Sequence, residues 1–111
     1  MKRYLLALDL KPDEALIREY DAYHRAVWPE VLESLRESGI LQMEICRSGN
    51  RLCMVLETTD DFSFEEKARL DAANPKVQQW EALMDTYQDR LPWVEPGAKW
   101  ALMAPVFRLN P

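Results

Sequence analysis

The sequence predicts one α+β domain, in which helices back an antiparallel sheet. Three observations lead to this fold class. The chain has 111 residues, the length of a single domain spanning 1–111, and 48% of them are hydrophobic, enough for a core. Two apolar segments flank a Gly-Asn pair, a pattern typical of a β-hairpin. Apolar residues at helical spacing follow the first strand and again follow this hairpin.

Composition and charge argue against several functions. The net charge is −5 and no Lys/Arg cluster is visible, so we expect no nucleic-acid partner. No apolar run reaches the length of about 18 residues that a membrane span needs, so we expect no membrane association. The apolar start of the chain stops at Asp9 without a cleavage site, which indicates a buried strand and a cytoplasmic protein rather than a signal peptide.

The first half of the chain begins with a strand and continues as a helical region. The run from Tyr4 to Leu10 is leucine-rich and of strand length. Pro12 fits the first helical position, and the two acidic residues after it complement the positive end of the helix. Pro29 lacks the amide that a continuous helix needs, so we expect a kink or a restart there. Gly39 is the predicted end of this region.

A β-hairpin follows, with strands at 41–47 and 52–58 joined by a tight turn at Gly49-Asn50. The turn sets a register with the pairs Ser48–Arg51, Arg47–Leu52, Cys46–Cys53, Ile45–Met54, Glu44–Val55, Met43–Leu56 and Gln42–Glu57. The face that carries Met43 and Ile45 is core. The opposite face is mixed, and we expect it to line a cleft, where Glu57 is either a carboxylate of a site or the partner of an arginine.

The second half of the chain contains two helices, a loop and a strand. The first helix is predicted from about Phe62 to Leu70 with Asp60 or Asp61 as its cap, and the second begins at Asn74-Pro75. Two prolines and a glycine make 91–97 a loop, and 99–109 returns to strand character. The resulting order of β, α, β, β, α and β is the split pattern of ferredoxin-like domains.

The candidate chemistry centres on His24, which is the only histidine of the chain. Tyr20 lies four residues earlier, so a helix places both side chains on one face. A phenol and an imidazole suit general acid–base catalysis on a small molecule, because the ordinary pKa of histidine lies near neutrality. The plainer interpretation is a histidine satisfied by core or surface contacts. One histidine cannot form a multi-histidine metal site within the chain, so we expect no metal.

Tryptophans and cysteines supply further candidates. Trp80 lies on an apolar helical stripe, and the ordinary interpretation of Trp80 and Trp100 is that they are core or interface residues. Trp93 lies in a loop, where an indole can stack on a sugar ring. Cys46 and Cys53 face each other on paired strands, and for a cytoplasmic chain we expect buried thiols rather than a disulfide.

The segment from Tyr20 to Glu30 resembles the signature of the L-rhamnose mutarotase family. That signature is a tyrosine, three residues, a histidine, three residues and Trp-Pro-Glu, which this chain carries as Tyr20, His24 and 28–30. The likeness extends over nearly the whole chain, including the hairpin of 39–57 and the closing 106–109 segment.

The resemblance implies a homodimer whose two sheets pack together as a dimeric α/β barrel. It also implies an enzyme that interconverts the α and β anomers of a 6-deoxy-L-hexose, with a monosaccharide substrate and without a cofactor. In that scheme His24 is the principal acid/base group and opens the ring by protonating its oxygen. Tyr20 binds the sugar and assists the proton transfer, and Trp80 lines the pocket.

Two departures from the family pattern bear on the substrate. The rhamnose enzymes have a tyrosine where this chain has Met43 and a second tryptophan where it has Glu81. The segments 74–80 and 99–103 resemble the branch associated with L-fucose, so we favour L-fucose over L-rhamnose. Trp93 and Trp100 are then the replacement aromatic surfaces.

Two other classes of function fit the same fold, because one scaffold hosts many functions. A small haem-degrading monooxygenase would use His24 as the axial ligand of haem. A non-catalytic sugar-binding or dimerisation module would bind sugar without accelerating anomer exchange, or would not bind it.

Overall fold

The computed structural model describes residues 1–110, which form four helices against an antiparallel sheet of five strands. The elements are β1 (Lys2–Leu10), α1 (Glu14–His24), α2 (Pro29–Glu37), β2 (Ile40–Ser48), β3 (Arg51–Thr58), α3 (Phe64–Ala72), α4 (Pro75–Asp85), β4 (Gln88–Asp89) and β5 (Ala101–Leu102). No helix within these residues has the length and apolarity needed to cross a membrane.

The sheet has the order β2-β3-β1-β4, and β5 also pairs with β1. Every pairing is antiparallel, and the predicted hairpin register is confirmed from Ser48–Arg51 to Gln42–Glu57. Gly49 has a φ of +58°, a conformation that the tight turn needs and that glycine adopts without strain. A register shift between Ile40 and Gln42 was not predicted, because a bulge leaves no mark on the alternation of a short strand.

The predicted restart at Pro29 is confirmed, since α1 ends at His24 and α2 begins with Pro29 at its first position. At that position the missing amide costs nothing, because the first amides of a helix have no intrahelical partner. The prediction that Pro12 opens α1 is wrong. Asp13 is the cap instead, with its carboxylate accepting a hydrogen bond from the Leu16 amide at 3.0 Å.

The second helical pair and the end of the chain differ partly from the sequence prediction. Asn74 caps α4 as predicted, but Ser63 rather than Asp60 or Asp61 caps α3 and accepts from the Glu66 amide. The long strand predicted at 99–109 is wrong, because only Ala101 and Leu102 form a strand beside β1. The Met103 amide adds one hydrogen bond to the Leu5 carbonyl, and the residues from 104 to 110 belong to no strand. The two-residue β4 is too short to produce a periodic pattern and was missed.

The helices cover one face of the sheet. On β1, Leu6, Leu8 and Leu10 are buried against helical residues, while Leu5 and Ala7 on the opposite face are only partly covered. The covered face therefore holds the core, as the alternation of the strands predicts.

Candidate active site

A cavity of about 540 Å³ lies between the covered face of the sheet and the helices. Its floor is apolar and comes from all three long strands: Leu6, Met43, Ile45, Met54 and Leu56. The volume is within the range of small-molecule sites. The predicted cleft on the mixed face of the hairpin is therefore wrong, because the cavity opens on the opposite face and Glu57 points away from it.

His24 lies in the wall of this cavity at the last residue of α1. Its Nδ1 is 2.9 Å from the carbonyl oxygen of Tyr20. A carbonyl oxygen only accepts hydrogen bonds, so Nδ1 carries the proton. In the neutral imidazole, Nε2 is then the nitrogen that can accept a proton from a ligand.

The Tyr20 side chain lies against this imidazole, with the ring centroids 4.2 Å apart. It is only 3% exposed, and burial raises the pKa of its phenol to about 12. The neighbouring Gln88 side chain opposes this shift of the pKa, and the Glu81 and Asp21 carboxylates add to it. The phenol therefore stays protonated at neutral pH and offers a hydrogen-bond donor beside the His24 acceptor.

Aromatic packing holds the imidazole in place. Trp80 is 5% exposed and meets the His24 ring edge-on, at a centroid distance of 5.5 Å. Behind it, Trp28 packs edge-on against Trp80 at 5.2 Å. Trp28 precedes α2 and does not line the cavity, so it supports the wall rather than forming it. Such aromatic pairs favour one ring orientation, which limits the movement of His24.

Two lysines, each held by ion pairs, add charge to the cavity wall. Lys99 Nζ lies 2.5 Å from Glu81 Oε2 and 3.0 Å from Asp85 Oδ1, and only 14% of the Lys99 side chain is exposed. On α3, Lys67 Nζ lies 2.5 Å from Asp71 Oδ2. Of the residues in these ion pairs, only Asp85 does not line the cavity. These pairs leave oxygens and ammonium protons that can hydrogen-bond to a polyhydroxylated ligand.

A second, smaller cavity of about 270 Å³ also borders Tyr20 and His24. Its rim holds Asp21 and Arg47, which make two hydrogen bonds of 3.1 and 2.7 Å. The guanidinium beside Asp21 lowers the pKa of that carboxyl. The pair joins α1 to β2 and so fixes the helix that carries His24.

The structure brings most of the predicted site residues together. The residues at the main cavity are Tyr20, His24, Met43, Trp80, Glu81 and Trp100. Trp93 is 69% exposed in its loop and does not line this cavity. Cys46 and Cys53 are free thiols, but Cys46 is exposed and Cys53 is half-buried, so the prediction that both are buried is wrong.

Sequence reasoning missed five polar residues of the cavity: Ser34, Lys67, Asp71, Gln88 and Lys99. The spacing of Lys67 and Asp71 by four residues was the only signal, and that spacing is common on solvated helix faces. The described residues contain no cluster of three potential metal ligands.

Comparisons with known proteins identify the family. The family model of L-rhamnose mutarotase matches residues 3–109. An L-fucose mutarotase of Xanthomonas campestris pv. campestris is 45% identical over 112 residues, which cover 99% of this chain and 90% of that protein. This chain belongs to the L-rhamnose mutarotase family. An L-rhamnose mutarotase of Phocaeicola vulgatus is 27% identical, with 100% of this chain and 85% of that protein covered.

Solved structures confirm the α+β fold of this L-rhamnose mutarotase family member. An L-rhamnose mutarotase of Formosa agariphila superposes with a TM-score of 0.72 at 18% identity, covering 99% of this chain and 100% of that one. A tetracenomycin F2 cyclase of Streptomyces glaucescens gives a TM-score of 0.57 at 17% identity, covering 97% and 98%. The dimeric form of the barrel stays a prediction.

Proposed function

We propose that this chain is a mutarotase that interconverts the α and β anomers of L-fucose. The observation that carries the proposal is the pairing, in one cavity, of the protonated Tyr20 phenol with a His24 imidazole whose Nδ1 is engaged. Such a pair can move a proton between the two oxygens on the anomeric carbon. Membership of the L-rhamnose mutarotase family supports this function over the haem-binding alternative.

The proton balance assigns a different task to each residue. His24 Nε2 accepts the proton of the anomeric hydroxyl, the bond between the anomeric carbon and the ring oxygen breaks, and the ring oxygen receives the proton from the imidazolium. Rotation about the next carbon–carbon bond and the reverse steps give the other anomer. No proton is gained or lost overall.

Tyr20 acts as a hydrogen-bond donor in this scheme. With a pKa of about 12, ionising its phenol at pH 7 would cost about 7 kcal/mol. Transfer of the phenol proton is therefore a poorer route than transfer by His24. A hydrogen bond from the phenol instead stabilises the negative charge that develops on the ring oxygen.

Two residues of the cavity favour L-fucose over L-rhamnose. Met43 offers a thioether and Glu81 a carboxylate at the positions where the sequence resemblance expects a phenol and an indole. The two sugars differ in the orientation of hydroxyls, so a change from donors to an acceptor changes which sugar is bound. The 45% identity to a protein named L-fucose mutarotase supports the same choice.

NMR exchange spectroscopy on L-fucose and L-rhamnose, each at anomeric equilibrium, tests the proposal. We expect faster exchange of L-fucose with the wild type and with Arg18→Gln, an exposed change on the same helix, but not with His24→Ala. Sugar binding without acceleration would establish a non-catalytic module. A Soret band on haem addition, lost in His24→Ala, would establish the haem-binding alternative.

We also propose that the chain forms a homodimer through the uncovered face of the sheet. That face carries Leu5, Ala7, Cys53 and Val55, none of them fully buried. Apolar side chains gathered on an open sheet face favour a second layer. The closing segment 106–109 follows β5 closely in the sequence and also exposes apolar residues. Val106 is 97% exposed and Phe107 is 79% exposed.

Light scattering tests the proposed homodimer, because it measures the mass of the protein in solution. We expect the wild type to have twice the 13.0 kDa of one chain, and Val55→Lys to be a folded monomer. Ala68→Lys adds the same single positive charge at an exposed position of α3 and should leave the dimer intact. A wild type of one-chain mass would contradict the proposal.

A further inference from the structure

The position of Gln88 is fixed by the backbone on both sides. It begins β4 and pairs with Leu10 of β1, and the next amide, that of Lys11, donates to the Tyr87 carbonyl at 2.9 Å. Directly paired residues of an antiparallel sheet point to the same face. Leu10 is 1% exposed within the core, so the amide of Gln88 enters the apolar side of the sheet.

The two ends of this amide have different surroundings. The Gln88 side chain lies near enough to the Tyr20 phenol to lower the phenol pKa, which is the effect that a donor to the phenol oxygen has. The other end, Oε1, is buried and has no hydrogen-bond partner within residues 1–110. Buried polar atoms are nearly always paired, so an acceptor of this kind needs an explanation.

The cavity supplies that explanation. Gln88 lines it together with Tyr20 and His24, and the lining of the cavity as a whole is mainly apolar. We propose that Gln88 is a sugar-binding residue that positions the Tyr20 phenol with its amide nitrogen and accepts a hydrogen bond from a sugar hydroxyl with Oε1. This inference rests on the proposed mutarotase function, because it names one more contact of the same site.

An acceptor at this place selects among ligands. The carbonyl oxygen of an amide cannot donate, so it is satisfied only by a hydroxyl that directs its proton towards it. A sugar that lacks the hydroxyl, or presents it in the other orientation, leaves Oε1 unpaired and binds less well. Gln88 is therefore a specificity-determining residue that works at the Tyr20 and His24 end of the cavity.

Binding measurements on Gln88→Met with L-fucose and its single-deoxy analogues test the inference. Methionine has a similar length but offers no amide, and we expect its Kd for L-fucose to rise about tenfold. For one deoxy analogue, the variant and the wild type should bind alike, because the hydroxyl that pairs with Oε1 is missing. Gln79→Met, on the exposed side of α4, is the control and should match the wild type.

A second variant separates the two ends of the amide. Gln88→Glu keeps an acceptor but loses the donor to Tyr20, so we expect sugar affinity to fall less than in Gln88→Met while the exchange rate still falls. This comparison keeps the test open if the methionine variant does not fold.

The outcomes distinguish this inference from the proposed function. If Gln88→Met weakened the binding of L-fucose and of every deoxy analogue equally, or weakened none of them, the proposed role of Gln88 would be overturned. Fast anomer exchange by the wild type would in that case still support the mutarotase. If the wild type bound L-fucose without accelerating exchange, the mutarotase proposal would fail, and the deoxy-analogue comparison would still decide the binding role of Gln88.

Discussion

His24 Nδ1 lies 2.9 Å from the carbonyl oxygen of Tyr20, while the two rings stack with their centroids 4.2 Å apart. One residue thus sets both the tautomer and the tilt of the imidazole, through its backbone and its side chain. Both contacts follow from the spacing of four residues on α1, which places the groups one above the other at the end of the helix. The proton-accepting nitrogen is therefore organised before a ligand arrives.

The first prediction concerns proton transfer by His24. His24→Gln keeps a polar side chain that fills the site but cannot exchange a proton near neutral pH. We expect the catalysed exchange rate to fall by about 10²–10⁴-fold, with sugar affinity changed only a few-fold. NMR exchange spectroscopy measures the rate and calorimetry the affinity. A variant that retained a tenth of the wild-type rate would show that another group carries the proton.

The second prediction concerns stability at alkaline pH. The phenol of Tyr20 has a pKa of about 12 in the folded protein, against 10.0 for an ordinary tyrosine. Between these values the unfolded chain releases the proton and the folded chain keeps it. The contribution of Tyr20 to the free energy of unfolding is therefore fully present below pH 10 and is lost as the pH rises to 12. Two pKa units correspond to about 3 kcal/mol.

Urea unfolding of the wild type and of Tyr20→Phe at pH 8 to about 11.5 isolates this effect, because lysine titration is common to both. The wild type should lose stability more steeply. Burial also raises the pKa of Tyr87, so Tyr87→Phe should flatten the alkaline loss of stability as well. Parallel curves for the wild type and Tyr20→Phe would contradict the prediction.

Local rules explain which parts of this fold were predictable. The Gly49-Asn50 turn and the strand alternation determine the hairpin register, and Pro29 determines the break between α1 and α2. The contact of Tyr20 with His24 is also local, because four residues separate them. Each of these features depends on neighbours in the chain, and each was predicted correctly.

The other cavity residues come together only through tertiary packing. Gln88 reaches the cavity because a two-residue strand pairs with the end of β1, and Lys99 because the loop before β5 returns to α4. Neither segment has a periodic pattern. The tail beyond Leu102 has strand-like residues, yet only Met103 bonds to β1 and the described residues after it belong to no strand, so propensity alone gave a wrong prediction there.

The third prediction concerns the choice of sugar. The double change Met43→Tyr and Glu81→Trp places in the cavity the phenol and indole expected of L-rhamnose enzymes. We expect the ratio of L-fucose to L-rhamnose exchange rates to fall about tenfold or more, because polar contacts discriminate hydroxyl patterns strongly. Asp85→Asn is the control, since it also removes a partner of Lys99 but lies outside the cavity wall. An unchanged ratio in the double variant would show that other residues select the sugar.

The fourth prediction concerns Gly39, which joins α2 to β2 with a φ of +95°. A Cβ at this position would lie 2.9 Å from Thr59 Oγ1, and the Gly39 carbonyl already accepts from the Thr59 amide at 2.9 Å. Gly39→Ala therefore combines backbone strain with a steric clash, and we expect about 2–3 kcal/mol less unfolding free energy.

Gly97→Ala separates the two contributions to this loss. Its φ is +86° but no atom lies within 4 Å of the added Cβ, so only the backbone strain, about 1 kcal/mol, should appear. Replacing Thr59 with alanine removes Oγ1, so the effect of Gly39→Ala measured in that background should approach the Gly97→Ala value. Equal losses for Gly39→Ala in both backgrounds would mean that the backbone alone restricts this position, and that the clash with Thr59 is relieved by a rotation of its side chain.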